Sequence, residues 1–107
     1  MTEGPAGRLA GRVAIVTGGG RGRGRAMTLA LAEAGASVIA TASRELGEIE
    51  AVAATAGETH ILPLLADVTC PDDCARVVQT AVERFGRLDL LVNNTGTRHE
   101  IRQRVLT

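Results

Sequence analysis

The chain has 107 residues, of which 45% are apolar, so we expect one small folded domain rather than a disordered chain. Twelve basic residues balance twelve acidic ones, and this zero net charge argues against a nucleic-acid or membrane-surface partner. No apolar stretch approaches the roughly 20 residues of a membrane span, and residues 1–8 lack a signal-peptide core, so we expect a cytoplasmic protein.

The first predicted elements are a tail, a buried strand and a helix. Residues 1–8 are small and polar, which indicates a loose N-terminal tail. Residues 13–16 form a continuous, mostly β-branched run that ends in glycines, as is typical of a strand buried on both faces. From Gly22 to Ala34 the apolar residues recur at helical spacing, and we expect Gly35 to end this helix.

A second strand and helix follow at short intervals. Residues 38–41 predict a strand, and residues 45–56 predict a helix that ends at Gly57. Residues 61–66 predict a third strand, in which Pro63 indicates an irregular start or a position at the sheet edge.

The third predicted helix carries start and stop signals. Thr69 is the expected N-cap, with acidic Asp72 three residues later and Pro71 in the first turn. The helical pattern continues to Phe85, and Gly86 is expected to end it.

Residues 88–92 (LDLLV) predict a fourth strand, which completes the order βαβαβαβ. This alternation predicts an α/β fold, a Rossmann-like doubly wound parallel sheet with strand order 3-2-1-4, truncated after the fourth strand. The domain would occupy residues 9–97, and residues 98–107 form a C-terminal tail without a motif. Residues 88–92 would then be an apolar edge that favours self-association or pairing with another chain.

Residues 17–24 (TGGGRGRG) form a glycine loop between the first strand and the first helix. Such a loop brings backbone close to a pyrophosphate at a helix N-terminus. A P-loop would need Lys and Ser or Thr after Gly24, where Arg25 and Ala26 stand instead. An arginine-glycine nucleic-acid segment is disfavoured because the run is short and has no aromatic residues for stacking.

The loop fits the pattern T-G-x-x-x-G-x-G, and further motifs follow it in order. They are Arg25-Ala26 with residues 32–38 (AEAGASV), Asp67-Val68-Thr69, and residues 93–96 (NNTG). Together these segments resemble the short-chain dehydrogenase/reductase family over roughly residues 9–97, and specifically its cofactor-binding half.

The resemblance implies a role for each motif residue. The loop glycines would line the cofactor pyrophosphate: Gly18, Gly20, Gly22 and Gly24. Asp67 would accept a hydrogen bond from the adenine amino group, with Val68 beside the ring, and Asn93 and Gly96 would lie under the ribose and nicotinamide side. An alternative interpretation of Asn93 and Asn94 is a turn that only ties the sheet together, and the sequence leaves both open.

The end of the second strand indicates which nicotinamide cofactor binds. NAD binders usually place an acid there for the ribose 2′-hydroxyl, but here Ser43 and Arg44 precede the first acid, Glu45. A guanidinium and a hydroxyl suit a 2′-phosphate, and Arg21 resembles the second basic residue of NADP-using family members. We therefore expect NADP rather than NAD, although Arg44 could also be an ordinary solvated residue at a helix start.

The catalytic residues of the family are absent from these 107 residues. The family uses a tyrosine, a lysine four residues later and a serine, whereas this chain has no Tyr, and all 12 of its basic residues are Arg. Arg23 also departs from the family, which usually has an apolar residue between Gly22 and Gly24. We expect no reductase activity from this chain alone, and the substrate is unknown.

Three functions remain open at this point: a NADP-dependent oxidoreductase represented by one half, a dinucleotide-binding module without turnover, and an interaction protein.

Cys70 and Cys74, spaced C-x-x-x-C, have no histidine nearby in sequence to suggest a zinc site, so we expect two reduced cysteines.

Overall fold

The computed structural model describes residues 8–20, 22–56 and 60–94, with only the backbone of Ala56. The elements in chain order are β1 (Val13–Thr17), α1 (Gly22–Glu33), β2 (Ser37–Ala42), α2 (Leu46–Ala56), β3 (Ile61–Leu65), α3 (Pro71–Phe85) and β4 (Leu90–Asn93). The predicted tails, residues 1–8 and 98–107, lie outside the described residues except for Arg8, as do Arg21, Gly57 and Gly96.

The four strands form one parallel sheet in the order β3-β2-β1-β4. This arrangement confirms the predicted α/β doubly wound fold and its strand order. The chain moves outward from β1 to β3 and then crosses to the other side of β1, so the topological reversal falls between β1 and β4. In such sheets ligands bind beyond the carboxyl ends of the strands at this reversal.

Strand β1 is buried along its whole length, as its β-branched run predicts. Its side chains alternate between two apolar clusters, one on each face of the sheet. On one face Ile15 packs with Ile39 and with Val77 of α3, whereas on the other Val16 packs with Ala32 of α1. Helix α3 and helix α1 therefore cover opposite faces, as a doubly wound sheet requires.

Glycines end two of the helices as predicted. Gly35, at φ 104°, follows α1, and the next residue, Ala36, donates its N–H to the carbonyl of Leu31 at 3.1 Å. Gly86, at φ 87°, ends α3 and donates to the carbonyl of Val82. Both glycines have left-handed backbone conformations, which cost little only in the absence of a Cβ.

The predicted N-cap Thr69 is wrong, because α3 begins one residue later with Cys70 as its N-cap. The Thr69 hydroxyl donates instead to Oδ1 of Asp67 at 2.6 Å, which closes a turn after β3. Cys70 makes no side-chain cap hydrogen bond, and Pro71 occupies the start of the helix as expected. The Asp67 turn thus competes with helix capping for the same hydroxyl.

Strand β4 begins at Leu90, two residues later than predicted. Leu88 precedes it, and Asp89 carries a buried carboxylate that accepts a hydrogen bond from the N–H of Val13 at 2.9 Å. Arg87 binds the same carboxylate through two nitrogens. This ion pair fixes the chain at the amino end of the sheet, opposite the end where ligands bind.

Strands β3 and β4 are the outer strands among the described residues. Pro63 lies on β3 opposite Ala40, which confirms its predicted position at a sheet edge. None of the helices in the described ranges combines the length and the apolar character needed to cross a membrane.

Candidate functional site

Three polar side chains stand next to one another at the carboxyl ends of β2, β1 and β4. Thr17 of β1 pairs in register with Thr41 on one side and with Asn93 on the other. Register neighbours in a sheet share a face, and here it is the face that α3 covers, since Ile15 and Ile39 two residues earlier pack against α3. The sheet thus presents a polar row where its strands end.

Hydrogen bonds hold the β4 end of this row. The Thr17 hydroxyl donates to Oδ1 of Asn93 at 3.1 Å and accepts the backbone N–H of Asn94 at 2.8 Å. Both asparagines are therefore tied to β1, in agreement with the interpretation of a turn that fastens the sheet. The same bonds orient Asn93 beside the cleft described below, so the structural role does not preclude contact with a cofactor.

The glycine loop passes directly over this edge. Gly18 and Gly22 adopt φ values of 66° and 59°, in the left-handed region that glycine favours. A Cβ on Gly24 would overlap the carbonyl oxygen of Gly18 and lie 2.7 Å from Nδ2 of Asn94. The first turn of α1 therefore packs against the loop backbone more closely than any side chain permits.

Gly19 and Gly20 are also closely packed, although less closely than Gly24. A Cβ on Gly19 would lie 2.9 Å from Cβ of Ala40, and one on Gly20 would lie 2.9 Å from Cβ of Glu48. Gly19 also donates its N–H to the carbonyl of Thr41 at 3.1 Å, which joins the loop to the end of β2. No role was predicted for Gly19, since the T-G-x-x-x-G-x-G pattern leaves that position free.

An open cleft lies below the polar row, between the sheet and α3. Its lining residues are Ile15, Thr17, Thr41, Ala66, Val68, Cys74, Val77, Val78, Leu91 and Asn93. The cleft is apolar at its base and polar at the sheet edge, as is usual for small-molecule sites. It brings together the predicted residues Val68 and Asn93.

Thr41 lines this cleft although no role was predicted for it from the sequence. Its side chain is 1% exposed, and its hydroxyl makes no hydrogen bond with any residue that the structure describes. Buried hydroxyls are nearly always paired, so an unpaired one in a cleft wall points to a ligand or a bound water. A threonine at the end of a buried strand carries no sequence signal for such a role.

Asp67 heads the turn beyond β3. Its Oδ1 accepts the hydroxyl of Thr69 at 2.6 Å and the Thr69 N–H at 2.9 Å. These bonds, the hydroxyl first and the N–H second, hold the pKa of the Asp67 carboxyl below its ordinary value. The exposed carboxylate is therefore ionised at neutral pH and able to accept a further hydrogen bond.

Ser43 and Arg44, the residues predicted to select the cofactor, follow β2 as an exposed bend. They lie at the same end of the sheet as Thr41, two and three residues beyond it. Arg21 and Gly96 were also predicted to contact the cofactor, but both lie outside the described residues.

The remaining candidates for chemistry are the two cysteines and any cluster of metal-binding side chains. Cys70 and Cys74 are both free, as predicted. Within the described ranges no group of three or more His, Cys, Asp or Glu side chains could hold a metal ion. The site therefore consists of a glycine loop, a polar row and a partly apolar cleft.

Two comparisons of sequence agree with this geometry. The family model described as short chain dehydrogenase matches residues 12–106. The 11-beta-hydroxysteroid dehydrogenase 1A of Arabidopsis thaliana is 40% identical over 90 residues, which cover 82% of this chain and 26% of that protein. Versicolorin reductase 1 of Dothistroma septosporum is 42% identical over 91 residues, which cover 83% of this chain and 35% of that protein.

A comparison of structures gives the same result. A short-chain dehydrogenase/reductase from Serratia marcescens superposes with a TM-score of 0.77 at 39% identity, covering 81% of this chain and 36% of that one. This chain thus spans well under half the length of the relatives it matches. With its fold, its glycine loop and its sequence all in agreement, the chain belongs to the short-chain dehydrogenase family.

Proposed function

We propose that the chain forms the cofactor-binding half of a NADP-dependent oxidoreductase that transfers hydride between the cofactor and a carbonyl or alcohol. The family binds nicotinamide dinucleotides. The observation that carries the proposal is the convergence of the glycine loop with Thr41 and Asn93 at the topological reversal of the sheet. Dinucleotides bind at this position in doubly wound folds.

The residues present fit such a cofactor. Gly24 packs against the carbonyl of Gly18, so the loop backbone lies directly at the start of α1, and a helix N-terminus attracts a pyrophosphate. Ionised Asp67 would accept a hydrogen bond from the adenine amino group, with Val68 against the ring. The buried hydroxyl of Thr41 would gain a polar partner in the same cleft.

Preference for NADP rests on Ser43 and Arg44. The exposed bend after β2 contains a hydroxyl and a guanidinium but no acid before Glu45. A guanidinium pairs with phosphate oxygens through parallel hydrogen bonds, whereas a carboxylate there would repel a 2′-phosphate. Arg21, in the glycine loop, would add a second positive charge near this phosphate.

The bound cofactor would supply the hydride, and a separate group must supply or accept the proton. Because the 107 residues include no Tyr and no Lys, they lack the residues that do so in this family. The residues of this chain bind and orient the dinucleotide, and the substrate pocket lies elsewhere. We therefore expect no turnover from the 107-residue chain by itself.

The test of cofactor selection is the variant Arg44→Ala, compared with Arg84→Ala on the exposed face of α3. Losing a charged hydrogen bond to the 2′-phosphate costs about 1.5–3 kcal/mol, which corresponds to a roughly tenfold to hundredfold weaker NADPH affinity. NADH affinity should change little in both variants, and Arg84→Ala should bind NADPH like the wild type. Equal losses for NADPH and NADH in Arg44→Ala would refute the NADP assignment.

The open side of β4 favours a second candidate role, association with a second chain. Among the described residues β4 pairs only with β1, and its outer backbone groups face no strand. An unpaired apolar strand edge adds another strand readily. Sedimentation velocity over a range of concentrations should show reversible dimer formation, and a constant monomer mass would exclude this role.

A further inference from the structure

The thiol of Cys74 stands in the wall of the cleft. Cys74 lies in the first turn of α3 and is exposed. Its Sγ donates a hydrogen bond to the carbonyl oxygen of Val68 at 3.3 Å. Val68 belongs to the turn that the proposed function places beside the adenine ring, so the thiol is attached to that turn through one contact.

A second, independent observation at the same cleft points to a polar ligand. Thr41 faces it with a buried hydroxyl that has no partner among the described residues. Thr41, Val68, Cys74 and Asn93 all line one space. A group attached to the Cys74 sulfur would therefore enter the space that a ligand of Thr41 needs.

Cys70 provides a matched comparison within one turn of helix. It is the N-cap of α3, partly buried, and its carbonyl accepts the N–H of Cys74 at 3.1 Å. Cys70 does not line the cleft. The two thiols thus differ in access to the cleft while sharing the same helix terminus.

We propose that Cys74 is a modification site at which a covalent adduct and a bound dinucleotide exclude one another. The proposal rests on the proposed cofactor site and adds a means of regulating it. In the reaction, the Cys74 thiolate attacks one sulfur of a small disulfide such as oxidised glutathione. A new S–S bond forms, the original one breaks, and the released glutathione thiolate takes up the proton that Cys74 lost.

Two consequences follow from the adduct. The sulfur loses its proton and so no longer donates a hydrogen bond to the Val68 carbonyl. This removes one restraint on the Asp67 turn, to which Val68 belongs. The attached group also occupies the cleft beside Thr41. Conversely, a bound dinucleotide covers Cys74 and slows its reaction.

The experiment uses the full chain as Cys70→Ser, in which Cys74 is the remaining thiol, and as Cys74→Ser, in which Cys70 remains. Alkylation by iodoacetamide is followed by mass spectrometry with and without NADPH. At NADPH concentrations about ten times Kd the free fraction, and with it the alkylation rate of Cys74, should fall about tenfold. The alkylation rate of Cys70 should stay nearly constant.

A second measurement tests the converse effect, that of the cysteine adduct on NADPH affinity. The Cys70→Ser chain carrying a glutathione adduct should bind NADPH at least about tenfold more weakly than the same chain after reduction. In Cys74→Ser, treatment with oxidised glutathione should leave NADPH affinity the same as before treatment.

Two results would overturn the proposal: NADPH binds but does not slow alkylation of Cys74, or the glutathione adduct binds NADPH as tightly as the reduced chain. Binding of NADPH to the unmodified, folded chain is measured first by cofactor fluorescence. Absence of that binding would refute the proposed function itself, and the modification proposal with it.

Discussion

At the scale of single residues, Gly24 and Gly47 have the same backbone context but opposite surroundings. Both lie in helices, yet a Cβ on Gly24 would overlap the Gly18 carbonyl oxygen, whereas a Cβ on Gly47 would meet nothing within 4 Å. The close approach of α1 to the loop is therefore specific to position 24. This packing holds the start of α1 against the loop, where we expect the pyrophosphate to bind.

Gly24→Ala should destabilise the chain by about 1–3 kcal/mol, because the new methyl group forces the loop and helix apart. Gly47→Ala should stabilise it by about 0.5–1 kcal/mol through helix propensity. Urea denaturation followed by circular dichroism measures both free energies of unfolding. Similar effects in the two variants would mean that Gly24 is not a packing position.

Thr41 and Thr28 provide a second contrast, since both hydroxyls are buried but only that of Thr28 is paired. Thr28 donates to the carbonyl of Gly24 at 2.8 Å, whereas Thr41 has no partner among the described residues. Thr28→Val should therefore lower the free energy of unfolding by about 0.5–1.5 kcal/mol, because the hydroxyl bond to that carbonyl is lost while the helical N–H bond remains.

Thr41→Val should leave stability unchanged or raise it by up to about 1 kcal/mol, since no hydrogen bond is lost. The same variant should bind NADPH more weakly if the hydroxyl contacts the ligand. A large loss of stability in Thr41→Val, measured by urea denaturation, would show that the hydroxyl already has a partner.

At the scale of elements, Asp89 joins β4 to β1 at the amino end of the sheet. The hydrogen bonds from Arg87 first, and from the N–H of Val13 second, hold the pKa of the Asp89 carboxyl below its ordinary value. Arg12 adds a longer ion pair at 3.9 Å. The carboxylate thus stabilises the outer strand that carries Asn93 at its other end.

The pH dependence follows from the direction of this shift. A carboxyl whose pKa is lower when folded contributes stability above its unfolded pKa, near about 3.9, and loses it as pH falls through the folded pKa. Asp89→Asn should therefore be less stable than the wild type at about pH 7, and the difference should narrow below about pH 4. Midpoints of urea denaturation across this pH range measure the stability difference, and Glu50→Gln, at an exposed position, serves as the control. A difference independent of pH would contradict the ionic role.

The elements were predictable from the sequence because their signals are local. Buried β-branched runs, helical spacing of apolar residues, and Gly35 and Gly86 all act within a few residues. The Thr69 cap was mispredicted because Asp67, two residues earlier, takes its hydroxyl. The roles of Gly19 and Thr41 depend on contacts between distant segments, which no local pattern encodes.

At the scale of the whole molecule, the sheet supplies the first four strands of a family fold that is longer in the relatives. The loop, the polar row and the Asp67 turn converge at one end, where the sequence motifs predict a cofactor, and the Asp89 ion pair lies at the other. The NADP preference and the cofactor contacts of the site residues, including Arg21 and Gly96, remain predictions. Because the 107 residues contain no Tyr and no Lys, we expect this part of the protein to bind the cofactor without turnover.

The expected lack of turnover is tested by incubating the purified chain with NADPH and a panel of ketones and aldehydes. Cofactor oxidation should not exceed the rate without protein, since no residue of the chain replaces the proton-donating tyrosine. A carbonyl-dependent NADPH oxidation activity that copurifies with the chain, and that the Gly24→Val variant lacks, would refute this expectation.

The most direct test of the cofactor site is a titration of isotope-labelled chain with NADPH, followed by amide NMR. We expect saturable shifts for the amides of Gly18, Thr41 and Val68 at the carboxyl edge, with those of Arg12 and Asp89 at the opposite edge unchanged. Saturable NADPH binding that shifts no amide at the carboxyl edge, or a folded chain in which NADPH shifts no amide at all, would contradict a cofactor site at this edge.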